Sequence, residues 1–519
     1  MIGGFQGPAS RLVLAVIVGT VGAAVFVQKP VRAADLGGDC CADLEERVAE
    51  LEATTARKGN KKVSVIIYGK MNWAYEAWDD GAERNAYTVD NSMESTRIGF
   101  KGTAKIAGDW TAGYRLELEP RPGLSQTLNQ FNDNNQNDPL GAFNVRWDQI
   151  YINNKTWGEV RLGLTATPKY DITKDTMEYI STEAGEGGGL SDTMVADFRM
   201  NDSFRLRPKG FDNAEGLSSL SWSNIARCYS SSDQFNCSTR RNGVAYWSPT
   251  WSGFSASVGE FEDDDFSTAL RYRNTFADTW ALAASAGYER LRDERLQNGA
   301  GGLAGFERDL EEEAGSAALK HKPTGLFLMG VWSLSQSDDS NAIGAFNHKG
   351  APDMGAWNIQ GGIQRNISLF GLDKLGETAF WGGYSDVNNG FAQGSSAVAS
   401  GAPDFAPATQ NTKLGGVLAD GLIQSTAFPT GVLKATGSPC PSKPSSVSGK
   451  ANCYQVVGTE VKDWTLAFDQ SLSAAAMHLY AVYQHFDSPA FDVIDANQKH
   501  ISVPLDGFDL FYVGARMYF

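Results

Sequence analysis

Residues 96–119 read TRIGFKGTAKIAGDWTAGYRLELE, and their alternation decides the fold. Ile98, Phe100, Gly102 and Ala104 fall on one face of an extended chain, with Arg97, Gly99, Lys101, Thr103 and Lys105 on the other. After the turn Ala107-Gly108-Asp109 the rhythm resumes, setting Trp110, Ala112, Tyr114, Leu116 and Leu118 against Thr111, Gly113, Arg115, Glu117 and Glu119. A period of two means strands, each with one apolar and one polar face. In a soluble sandwich the apolar face packs inward. Here the polar faces carry long side chains of both signs, and aromatics gather at strand ends, as at Trp73, Tyr75, Tyr288, Tyr518 and Phe519. Apolar-out, polar-in strands with aromatic girdles are the signature of a transmembrane barrel, which leaves no unpaired edge in lipid.

Working outward, the same alternation predicts an all-β chain of sixteen strands. They are 63–77, 94–106, 110–120, 144–154, 159–166, 242–249, 253–260, 267–275, 280–290, 313–321, 326–336, 356–368, 377–386, 458–471, 475–487 and 508–519. Their joints alternate mostly between short turns (107–109, 155–158, 250–252, 276–279, 322–325) and long loops (121–143, 167–241, 291–312, 387–457). That asymmetry suits a barrel inserted from one side, with short turns in the periplasm and long loops outside. An even strand count returns both ends of the barrel to the periplasmic side.

Composition agrees by exclusion. Glycine supplies 56 of 519 residues without a triplet period, which rules out collagen. With 11% aromatics and only 20% charged residues the chain is not a disordered one. A net charge of −16 lacks the basic stripe that nucleic-acid phosphates require. After the first thirty residues no run of eighteen apolar residues exists to form a helical span.

The N-terminus sets the compartment. Arg11 precedes an apolar run from Leu12 to Val27, and Val31-Arg32-Ala33 fits a signal-peptidase site, predicting residues 1–33 as a signal peptide. Asp39 stands directly before Cys40, where a lipoprotein requires a small residue. Residues 34–61 form a periplasmic leader, and its stretch DLEERVAELEATTARK (43–58) is the one strongly helical segment. Leu44, Val48 and Leu51 recur with the spacing of a coiled-coil seam, in a helix opened by acids and closed by Arg57 and Lys58. Two heptads are too few to stand alone, so the helix either lies on a surface or joins a small bundle between identical subunits.

Six cysteines fit an oxidising destination and allow fifteen pairings. The local pairs are preferred: Cys228 with Cys237 and Cys440 with Cys453, each closing a short polar loop. Adjacent Cys40 and Cys41 are unexplained unless they cross-link neighbouring chains.

The segment 96–119 is similar to the second hairpin of general porins, and RRNGVAYWSPTWSGFSASVGE (240–260) resembles a hairpin of the alphaproteobacterial porin family. The terminal YVGARMYF resembles the C-terminal recognition strand of bacterial outer-membrane barrels, with Phe519 as the assembly signal. The resemblance covers nearly all of residues 62–519. It implies a sixteen-stranded, homotrimeric, water-filled channel in the outer membrane, in contact with lipid and lipopolysaccharide. It also implies that the third external loop, about 166–241, folds into the lumen as the constriction. The enlarged third loop and the long external loop at about 387–457 depart from the pattern.

A pore selects by radius and by the charges at its narrowest point. The wall candidates are Arg97, Lys101, Arg115, Arg161, Arg271 and Arg273, with Glu117 opposing. The loop from Ala166 to Phe198 carries seven acids, including Asp171, Asp175 and Glu178, against Lys169 and Lys174. A basic wall facing an acidic loop would set a transverse field, which is the chemistry of a weakly selective pore for ions and small hydrophilic solutes. For each arginine the competing reading is a salt bridge that only stiffens the wall.

Other functions find less support. His321, His348, His478, His485 and His500 stand near no nucleophile motif, so an enzyme is not expected. GAGGLAG (299–305) lacks the βαβ setting of a dinucleotide loop. No cofactor is expected, although EFEDDD (260–265) and EEE (311–313) are candidates for structural calcium or for bridging lipopolysaccharide through divalent ions. An envelope-tethering protein and a substrate-specific channel are the remaining alternatives.

Overall fold

The structure is a computed structural model that describes residues 62–120, 123–125, 129–130, 143–170, 172–180, 204, 206–207, 209, 222–226, 228, 235, 237–292, 309–337, 353–367, 375–390, 422–424, 453–494 and 500–519. The signal peptide, the leader with Cys40, Cys41, Leu44, Val48 and Leu51, and Cys440 lie outside these residues.

The strands are β1 (Ser64–Asp79), β2 (Arg84–Asp90), β3 (Arg97–Ala107), β4 (Trp110–Pro120), β5 (Phe143–Asn154), β6 (Gly158–Ala166), β7 (Arg240–Trp247), β8 (Phe254–Phe261), β9 (Asp265–Phe276) and β10 (Trp280–Leu291). They continue as β11 (Leu310–His321), β12 (Leu326–Ser337), β13 (Met354–Arg365), β14 (Thr378–Asn388), β15 (Leu422–Gln424), β16 (Cys453–Leu472), β17 (Met477–Ile494), β18 (His500–Ser502) and β19 (Phe508–Tyr518). A helix, α1 (Ile172–Ile180), follows β6. All pairings are antiparallel between neighbours, and β19 closes on β1 from Lys70↔Tyr518 to Asp79↔Asp509.

Sixteen staves make the circle, because β2 and β3 share one. β2 pairs with the upper half of β1 and β3 with the lower half, from Lys70↔Arg97 to Ser64↔Thr103. Between them one 3-10 turn, Ser92–Glu94, is capped by the Asn91 side chain, which accepts from Met93 N. β15 and β18 are short additions to β16 and β17. Every strand expected from alternation is present. The seven-residue β2 was not expected, because RNAYTVD is short and lies against only half a neighbour.

Tight turns cluster at one end. At the β9–β10 joint Ala277 and Asp278 both take positive φ (48° and 57°), the central positions of a tight turn that Thr279 N closes on the Phe276 carbonyl. The opposite end carries the long connections, except that β1 and β2 are joined by residues 80–83 and β8 and β9 by the short turn Glu262–Asp264.

The outward face is apolar as expected, with Ile67, Met71, Trp73 and Tyr75 of β1 all exposed. The inward face is not uniformly polar, and here the expectation needs correction. From β12 round to β1 it carries Met329, Val331, Trp381, Val482, Phe508 and Trp78, all buried. They join Phe204, Leu206, Trp222, Ile225 and Phe235 of the β6–β7 connection in a single apolar cluster. Only the interior of a closed barrel brings such distant staves to one segment, so the connection enters the lumen. Trp78, Phe204 and Phe508 pack together there with centroids 4.8–6.4 Å apart. Each such ring contributes about 1.5–3 kcal/mol through removal from water.

Candidate functional site

The lumen has two unlike halves. On the polar half, register sets Lys101 opposite Arg115, Gly99 opposite Glu117, and Tyr151 opposite Arg161, so these side chains share the inner face of β3–β6. Glu117, 1% exposed, is the hub. Its carboxylate accepts from Arg115 Nη2 (2.8 Å), Arg146 Nε (3.1 Å) and Tyr68 Oη (2.8 Å), with Arg97 Nη1 at 3.9 Å. Arg115 Nε donates to Tyr68 Oη at 2.8 Å, and its guanidinium lies over Trp147 at 4.2 Å. Lys101 lies 4.7 Å over the Tyr68 ring.

Above this hub Glu94 bridges Arg97 at 2.7 Å and pairs with Lys70, while Arg146 Nη1 reaches Glu119 at 2.9 Å. Lys70, Arg97, Lys101, Arg115 and Arg146 therefore stand over Glu94, Glu117, Glu119 and the buried Asp90, leaving the strip basic by one charge. Arg161 continues it on β6, bonded to Glu159 at 2.5 Å and stacked 3.8 Å over Trp247. The Arg115 and Arg161 side chains stay 26% and 24% exposed, enough for a passing ion to meet them.

Alternation alone could not find Arg146. Trp147, Gln149 and Tyr151 face inward, so a regular strand turns residue 146 outward. A bulge opposite Glu117 and Leu118 turns it back in. Lys70 is legible from the alternation of β1, and Glu94 sits on the 3-10 turn, which has no such period.

The other expected wall residues behave differently. Arg271 and Arg273 do not face an acidic loop across open space. They lie on β9, where α1 is clamped: Asp175 bonds Arg271 Nε at 2.5 Å and Arg273 Nη2 at 3.4 Å. Arg271 also donates to Ser257 Oγ and the Pro168 carbonyl. Thr176 Oγ1 lies 3.1 Å from Ser285 Oγ and 2.6 Å from Ser316 Oγ, and Ser316 Oγ donates to the Ile172 carbonyl. Just before α1, Lys169 Nζ donates to the Cys237 carbonyl at 2.5 Å, and its stem lies where a Cβ on Gly287 would be, 2.7 Å away. Glu178 is half-buried one turn along α1, and Asp171 lies outside the described residues.

The far end of the insertion crosses to the opposite wall. Arg207 pairs with Asp80 at 2.9 Å, Asp506 N donates to the Arg207 carbonyl, and Thr459 Oγ1 donates to the Ile225 carbonyl. The Cys228–Cys237 disulfide is present and fully buried within the apolar cluster. The Cys453 side chain, like Cys440, lies outside the description.

At the seam, Phe519 and Gly69 exchange backbone hydrogen bonds of 3.0 and 2.9 Å, and the Phe519 ring is exposed outward. Among the described histidines, His478 bonds Asp469, His485 bonds Asp509 and His321 bonds Thr324, each at 2.8 Å. Among the described residues no three His, Cys, Asp or Glu side chains gather as a metal site, and no helix is long and apolar enough to cross a membrane.

Comparison with known proteins gives one family, described as Gram-negative porin, matching residues 46–490. No curated protein sequence matches. Similar solved structures include an anion-selective porin from Comamonas acidovorans, 15% identical, covering 88% of this chain and 100% of that one at a TM-score of 0.47. The trimer form of OmpT from Vibrio cholerae is 12% identical, covering 88% and 100% at 0.43. OmpF of Salmonella typhi in complex with daunomycin is 11% identical, covering 89% and 99% at 0.42.

Proposed function

The chain belongs to the Gram-negative porin family, and from that premise we propose that ions and small hydrophilic solutes pass along the basic strip of β3–β6, with anions favoured. It is an outer-membrane channel that crosses the bilayer with strands. One observation carries the selectivity: five cations stand over four carboxylates on one continuous inner surface, while the other half of the lumen is lined by the apolar cluster. Arg115 and Arg161, each stacked on an indole and part-exposed, are the side chains a permeating anion meets. Asp175 pairs with both Arg271 and Arg273, so the β9 arginines serve to hold α1.

The same reading makes the chain a passive channel without catalytic activity. It assembles as a homotrimer, the state that the family and the Leu44, Val48 and Leu51 seam support. Membership of the alphaproteobacterial branch rests on the 240–260 hairpin.

Planar-bilayer recordings under a potassium chloride gradient test the proposal. The wild-type reversal potential is expected on the chloride side of zero. Arg115→Glu with Arg161→Glu is expected to carry it across zero. An unchanged potential in the double variant would remove both residues from the conduction path.

A further inference from the structure

Three buried amide oxygens on the inner wall have no donor, Asn358 Oδ1 and Gln360 Oε1 on β13 and Gln484 Oε1 on β17, and with them stands Asp463 on β16, whose carboxylate, among the described residues, meets only the hydroxyls of Ser385 and Thr465. Each of these residues is at most 2% exposed. Register brings them together across β14, as Asn358↔Ser385↔Asp463 in one row and Gln360↔Gly383↔Thr465↔Gln484 in the next. Gly383 lets the rows close. A Cβ there would lie 2.9 Å from Gln360 Cγ, so the glutamine stem crosses bare backbone towards β16. From the other side Gln484 Nε2 donates to Thr465 Oγ1 at 3.3 Å, and Thr465 Oγ1 donates to Asp463 Oδ2 at 3.2 Å. Asn358 spends its amide nitrogen on Ser385 Oγ at 2.9 Å. The amide nitrogens of Asn358 and Gln484 are thus spent on Ser385 and Thr465, which leaves their oxygens for the group.

The group holds one carboxylate. Among the described residues no lysine or arginine pairs with Asp463. A carboxylate kept from water without a countercharge costs several kcal/mol, and each unmet amide oxygen about 1–3 kcal/mol more. One formal charge among neutral oxygens matches a monovalent cation. A calcium ion takes six to eight oxygens, typically with several carboxylates.

We propose that Asn358, Gln360, Asp463 and Gln484 bind one monovalent cation, an alkali ion or a primary ammonium, on the wall away from the basic strip. This resident site is separate from the conduction path and does not depend on the proposed selectivity.

The test is thermal unfolding of the folded full-length protein in detergent at constant ionic strength. Sodium, potassium or ammonium chloride progressively replaces N-methyl-D-glucamine chloride, whose cation is too large to enter. A saturable rise in Tm is expected with at least one small cation, and the three salts separate the alkali and ammonium sources. Asp463→Asn is expected to abolish that rise while melting, in N-methyl-D-glucamine, no lower than the wild type. Gln360→Leu keeps the carboxylate and loses one oxygen, so its half-saturating concentration is expected to increase about tenfold. It carries the test if Asp463→Asn does not fold. A wild-type Tm equal in all four salts, or a rise that survives in Asp463→Asn, would overturn the site and leave Asp463 protonated or hydrated.

Discussion

Glu117 shows what one inward carboxylate does in a channel wall. Almost wholly buried, it takes hydrogen bonds from Arg115, Arg146 and Tyr68 at once. Glu117→Gln removes the charge but keeps the shape, leaving five cations over three carboxylates. Removing one partner of a buried ion pair costs about 3–5 kcal/mol when the other charge is left uncompensated. The side-chain amide retains some hydrogen bonding, so a loss near the lower bound is expected in urea unfolding. The reversal potential is expected to move further towards chloride, because the lost charge is negative. A potential moving towards potassium would show that Glu117 never faces the permeating ions. Alternation places Arg97, Lys101, Arg115 and Glu117 on one face, which is why four members of this strip were legible in the sequence. Arg146 was not, since a bulge reverses its side, and a single inserted residue leaves no periodic trace.

At the level of elements, the staves were legible and the insertion was not. β4 and β10 have clean periods. α1 has nine residues, too few to establish a helical period, and it is held by the polar contacts of Thr176 and Asp175 together with the buried side chains of Ile172, Met177 and Ile180. β5 also carries an exception on its outer face. Asp148 is exposed there, with Leu116 and Leu164 as register partners and with Val145 and Ile150, 45% and 58% exposed, along its own strand. A carboxylate on the lipid face destabilises a barrel, less than a lysine or arginine does at the same depth. Asp148→Leu is therefore expected to stabilise the barrel by on the order of 1 kcal/mol in urea titrations followed by tryptophan fluorescence in lipid vesicles. A loss of stability would mean that a neighbouring subunit, not lipid, covers this face.

On the scale of the whole molecule, the lumen is where sequence and structure part. Polar-in alternation describes β3–β6 and is interrupted from β12 onward by Met329, Val331, Trp381 and Val482, because the insertion supplies an apolar partner inside the barrel. A trace of this was present in the sequence. β12 begins Leu326-Phe327-Leu328-Met329, apolar on both faces, the pattern of a strand buried on two sides. The partner residues gave no such trace, since Phe204, Leu206, Trp222 and Phe235 are scattered through an irregular segment with no period. Trp222 is the largest of them and is 1% exposed, with its ring 6.1 Å from Phe486 and 6.3 Å from Phe508. Trp222→Ala removes that contact and leaves the strand ladder whole. Emptying such a site costs about 3–5 kcal/mol. The cost falls on the docking of the insertion, because the staves are joined to one another by backbone hydrogen bonds that the indole does not make. The variant is therefore expected to fold with a native strand content by circular dichroism. Its single-channel conductance is expected to be larger and noisier than wild type, as the apolar half of the lumen admits water. A barrel that folds with unchanged conductance would mean that the clamps at Asp175 and Arg207 hold the insertion without the apolar cluster.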